Sequence, residues 1–114
     1  MLYASMRAQD FQKIFEKGKS SIVQPIGVRY RERKQKKLHW GVVVSAKKWK
    51  SAVQRNRIKR VLREAVYPLL PFIPEQYDIV FLFLGNNISQ VQVDFLRSKI
   101  QEALFKALII KEKL

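Results

Sequence analysis

Apolar positions along this chain change rhythm several times, and each change marks an element. In DFQKIFEK, residues 10–17, Phe11, Ile14 and Phe15 fall at i, i+3 and i+4, the spacing of one helical face. Gly18 follows, where a C′ residue can end the helix. Residues 20–31 are β-branched and alternate, but Pro25 and Gly27 interrupt them, which predicts a bent or two-piece edge strand. RERKQKK, residues 31–37, is a polar, basic connection. HWGVVVS, residues 39–45, is a β-branched run with polar ends and reads as a buried strand.

Residues 51–70 carry the longest pattern. Ser51 with Gln54 three residues on makes a capping box. Ile58, Val61, Leu62, Ala65, Val66 and Leu69 then share one helical face, and Pro71 and Pro74 prevent continuation. YDIVFLFL, residues 77–84, is a second buried strand. Gly85-Asn86-Asn87 is a turn, and an amphipathic helix runs from 92 to about 108. The order α-β-β-β-α-β-α predicts one α+β domain over residues 1–114, a two-layer sandwich. Its central sheet is mostly antiparallel, with one parallel β-α-β unit joined through the helix at 51–70. A right-handed crossover is the general rule for such a unit.

Charge adds a partner class. The chain of 114 residues has 23 Lys and Arg against 9 Asp and Glu, a net +14. Between residues 29 and 63 there are fourteen basic residues and a single acid, Glu32, while the rest nearly cancels. An excess packed into one third of the chain is the footprint of a polyanion partner. The helix at 51–70 concentrates it. At about 100° per residue, Lys59, Arg63, Asn56, Arg60 and Arg57 occupy the arc opposite the apolar set, with Arg55 at the border in the first turn. Like charges at i, i+3 and i+4 repel by about 0.2–0.5 kcal/mol per pair. A purely structural helix gains nothing from that; one laid against phosphates does. Lys47, Lys48 and Lys50 precede the helix start, where free N–H groups already favour anions.

Other readings of the surface fit less well. The helix's apolar face is needed for the core, which argues against membrane binding. No helix-turn-helix pair, heptad or zinc spacing points to DNA reading. No run approaches a bilayer span of about 20 apolar residues, and cysteine is absent, as in many proteins of a reducing cytoplasm.

RNRIKRVLRE resembles the signature of the bacterial ribonuclease P protein family, Arg-Asn-Arg-x-x-Lys-Arg-x-x-Arg. The resemblance extends in order from residue 10 to 108: DFQKIFEKG, a Gly-β-branched strand ending SAKK, SAV before the motif, and YDIVF before the last helix. It implies an RNA-binding subunit of ribonuclease P, whose partners are the catalytic ribonuclease P RNA and precursor tRNA. The RNA, with Mg²⁺, would remove the 5′ leader, and the protein alone would not be the catalyst. It also implies a left-handed crossover through the motif helix, against the general rule. Carried over residue by residue, Arg55, Asn56, Arg57, Lys59, Arg60 and Arg63, with Lys47 and Lys48, match the RNA-binding set. Phe11 and Phe15 match aromatic positions bordering the cleft for the single-stranded leader, with Tyr30 as a further stacking residue; core packing is the other reading of both phenylalanines. The family's basic N-terminal stretch is reduced here to Arg7, and FLFLGNN lacks the basic residue usual after the last strand.

The residues themselves offer little catalytic chemistry. His39 is the single histidine, the four glycines form no phosphate loop, and the acids show no paired spacing. The expectation is a cytoplasmic binding subunit with no cofactor held by its own side chains, no small-molecule substrate and no membrane. The alternative is a general RNA-binding or ribosome-associated module that lacks a dedicated catalytic RNA.

Overall fold

The computed structural model describes residues 3–5, 8–34 and 37–111, with side chains from Lys13 onward. Its elements are β1 (Tyr3–Ser5), α1 (Ala8–Lys17), β2 (Lys19–Val23), β3 (Ile26–Glu32), β4 (Leu38–Val44), α2 (Ala52–Val66), β5 (Tyr77–Phe83) and α3 (Val93–Lys106), with 3-10 turns at Tyr67–Phe72 and Ile88–Gln90. The expected order is present, with β1 as an addition. The sheet runs β1-β4-β5-β3-β2. β2/β3 and β3/β5 are antiparallel, β4/β5 is the anticipated parallel pair joined through α2, and β1 extends the sheet parallel to β4.

Alternation divides the sheet into two faces. Leu38, Val42 and Val44 of β4, Ile79, Phe81 and Phe83 of β5, and Ile26 and Val28 of β3 all point into one core with α2 and α3. Ile58, Leu62, Ala65 and Val66 supply α2's share and Leu96, Ile100 and Leu104 that of α3. The opposite face carries α1 against β3 and β5. There Ile14 and Val80 are buried apart from the main core.

Three junctions fix the helices. At the start of α2, Ser51 Oγ accepts from the Gln54 N–H at 3.3 Å, one half of the expected capping box; the Gln54 side chain makes no return bond among the described residues. Its end comes earlier than the apolar spacing suggests, because Pro68 has no N–H to return to the Glu64 carbonyl. Arg97 of α3 supplies the missing donors instead: Nη2 to Glu64 O at 3.0 Å and Nε to Ala65 O at 3.1 Å. α1 stops at Gly18, which is not left-handed. A Cβ there would lie 2.5 Å from Ile14 O and 2.9 Å from Tyr30 O, so glycine is required for close approach of helix end and strand.

Candidate nucleic-acid interface

The outward face of α2 is built by the amphipathic pattern itself. With Ile58, Leu62, Ala65 and Val66 turned to the sheet, Asn56, Arg57, Arg60 and Arg63 are exposed and Lys59 is half-buried at the margin. None of these five makes a side-chain hydrogen bond or ion pair with a described residue. The first turn contains no acid. Lys47 and Lys50 are exposed beside the helix start.

Other basic residues of the same stretch are committed to the fold. Arg55 is half-buried, and its Nη1 donates to Trp49 O at 2.7 Å and Lys50 O at 3.1 Å. It sits on the sheet side of the first turn rather than at the border of the cationic arc, and it braces the approach to α2. Lys48 Nζ donates to Leu84 O at 2.8 Å, tying the β4–α2 connection to the end of β5. Arg29 Nη2 donates to Phe15 O at 2.8 Å, Ile14 O at 3.2 Å and Gly18 O at 3.3 Å, satisfying carbonyls at the end of α1.

Arg31 and Arg33 converge on Asp78, which is fully buried: Arg31 Nε donates to Oδ2 at 2.8 Å and Arg33 Nη1 to the same oxygen at 3.2 Å. His39 Nδ1 lies 3.3 Å from Asp78 Oδ1. A carboxylate inside an apolar strand needs such partners, and its position within YDIVFLF was the available sequence signal. The charge cluster is therefore two populations. Arg29, Arg31, Arg33 and Arg55 have partners within the fold, Lys48 is exposed but tethered at its tip to Leu84 O, and the α2 face has no partner among the described residues.

The aromatic residues separate as well. Phe15 is 41% exposed on α1, with the Arg29 guanidinium 5.6 Å from its ring centroid. Phe11 lies in α1, but its side chain is outside the described residues. Tyr30 does not join Phe15. It falls in step with Ile26 and Val28, on the face opposite Arg29, and meets Tyr77 edge-on with centroids 6.0 Å apart. The alternation Ile26-Val28-Tyr30 against Gly27-Arg29-Arg31 carried this, once β3 was known to start at Ile26. Tyr77 donates to Glu32 Oε1 at 3.1 Å, and burial, then that hydrogen bond to a carboxylate, push its phenol above the usual value. Trp49 is core, tilted against Phe83 at 6.0 Å.

The family model described as Ribonuclease P matches residues 6–108. The chain belongs to the ribonuclease P protein family. A ribonuclease P protein component from Oceanobacillus iheyensis is 33% identical over 110 residues, covering 96% of this chain and 89% of that protein. The ribonuclease P protein from Thermotoga maritima superimposes with TM-score 0.74 at 27% identity, covering 97% of this chain and 99% of its own. The Staphylococcus aureus ribonuclease P protein shares the fold, with TM-score 0.76 at 24% identity over 96% of this chain and 98% of its own. Membership carries a role in ribonuclease P, a ribonucleoprotein of tRNA processing, and with it an RNA partner. Among the described residues no helix is long and apolar enough to cross a membrane.

Proposed function

We propose that this chain binds the RNA of ribonuclease P through the outward face of α2, and assists Mg²⁺-dependent removal of the 5′ leader from precursor tRNA in the cytoplasm. One observation carries the reading: Asn56, Arg57, Lys59, Arg60 and Arg63 share a face and have no internal partner among the described residues. Arginine's planar fork suits phosphate oxygens, and Arg57, Arg60 and Arg63 present three such forks on one exposed helix face. Lys47 extends the row at the helix start, while Lys48 and Arg55 contribute by holding the loop that presents it.

The leader is assigned to the other side of the sheet, where Phe15 offers an aromatic face beside Arg29 and unstacked bases of a single strand would find both stacking and charge. In this reading the Mg²⁺ and the hydrolysis belong to the RNA. The protein neutralises phosphates, and its two surfaces keep catalytic RNA and substrate strand on opposite faces of one sheet. Reconstitution with a bacterial ribonuclease P RNA tests the proposal. The chain is expected to stimulate cleavage of precursor tRNA at low Mg²⁺, and no stimulation refutes it.

A further inference from the structure

The cationic row on α2 has an apolar residue at each end, and we infer that Tyr67, at its C-terminal end, stacks on an unpaired base of the RNA partner. This inference rests on the proposed RNA-binding role of α2 and extends it by one residue and one kind of contact. Tyr67 closes α2 in helical geometry, with its N–H donating to Arg63 O. Val53, Arg60 and Tyr67 are seven residues apart, so they drift by only about 20° per step around the helix and lie about 10.5 Å apart along it. Tyr67 thus continues the row through Arg60, one turn beyond Arg63.

The ring is open and already held. Tyr67 is 56% exposed, and its hydroxyl makes no hydrogen bond with a described residue. Trp40 meets it edge-on, centroids 5.5 Å apart and planes at 80°, while Trp40 is itself anchored edge-on to Phe81 at 6.4 Å. A ring fixed in this way loses little freedom when a ligand stacks on it. Arg60 and Arg63, without partners among the described residues, supply the phosphate contacts that bring a strand alongside. An aromatic face flanked by guanidinium groups is the arrangement that binds an unstacked nucleotide, since a base stacked inside a helix offers no free face.

The test measures binding of in vitro transcribed bacterial ribonuclease P RNA by the full chain across a salt series, for the unsubstituted protein, Tyr67→Ala and Tyr67→Phe, with thermal melts of each. Stacking predicts that Tyr67→Ala weakens binding by about 5- to 150-fold with the salt slope unchanged, and that Tyr67→Phe restores affinity. Crosslinking from 4-thiouridine in the RNA to position 67 would add direct support. RNA affinity unchanged in a folded Tyr67→Ala overturns the inference. If Tyr67→Phe fails to restore binding while folding normally, the stacking role is likewise overturned. Failure of the unsubstituted chain to bind this RNA at all would instead refute the underlying reading of α2.

Discussion

Arg55 and Arg60 are five residues apart in one motif, and their replacement by alanine should have opposite consequences. Arg60 is exposed and has no partner among the described residues, so Arg60→Ala removes no internal contact. Stability should stay within about 0.5 kcal/mol, and relief of repulsion from Arg57 and Arg63 would raise it by about 0.2–0.5 kcal/mol per pair. RNA binding should change in a diagnostic way. Each neutralised phosphate contributes about 0.7–0.9 to the slope of log affinity against log salt. Losing one contact therefore removes about a threefold share of the affinity lost between about 50 and 200 mM salt. Replacing Arg57, Lys59, Arg60 and Arg63 together would flatten the slope by about 3 and remove a share of about 50- to 150-fold over the same range.

Arg55→Ala takes away donors to Trp49 O at 2.7 Å and Lys50 O at 3.1 Å. With a half-exposed guanidinium the cost should be about 1–2 kcal/mol, with a smaller effect on the salt slope. The assay pairs urea denaturation with filter binding over the salt series. An Arg60→Ala protein that loses stability while its slope is unchanged would refute the division of these cations into structural and interfacial sets.

Further expectations concern the scaffold. Ser51→Ala deletes the cap on Gln54 N and should cost about 1 kcal/mol in urea denaturation. Asp78→Asn leaves Arg31, 17% exposed at its side chain, facing a neutral amide, and should lower stability by about 2–4 kcal/mol, read from the urea midpoint. The raised Tyr77 phenol stays protonated in the folded protein where the unfolded chain has begun to ionise. Its stabilising contribution is therefore complete below the unfolded value of 10.0 and falls as pH rises through the folded value. Stability measured from pH 9 upward should decline more in the unsubstituted chain than in Tyr77→Phe.

The sequence revealed most where one period governs many residues. The apolar stripe of α2 sets its cationic face by geometry alone, and the buried runs at β4 and β5 leave few alternatives. What it hid depends on pairing across the sheet. Asp78 became the centre of Arg31, Arg33 and His39 only through the register of β3 and β4 on β5. Arg55 is the exception: at 100° per residue it falls within about 20° of Leu62 and Val66, so its place on the sheet side was already legible and the border of the cationic arc was a misplacement. Tyr30 reads from the sequence as a further stacking residue because its strand neighbours the first helix, but a strand turns successive side chains to opposite faces and Tyr30 faces away from Arg29. The three-residue strand β1 has too short a pattern to be distinguished from coil.

The junction at the end of α1 has a consequence for how the molecule comes apart. Among the described residues, the contacts of this helix include Ile14, Val80, the closely fitted Gly18 and one guanidinium shared among three carbonyls, and Ile14 and Val80 lie outside the main core. Its detachment need not disturb α2 or α3, so α1 should behave as a separate opening unit whose amides exchange with solvent well before those of the sheet. The surface assigned to the leader could then be adjusted, or briefly withdrawn, while the surface assigned to the catalytic RNA stays docked.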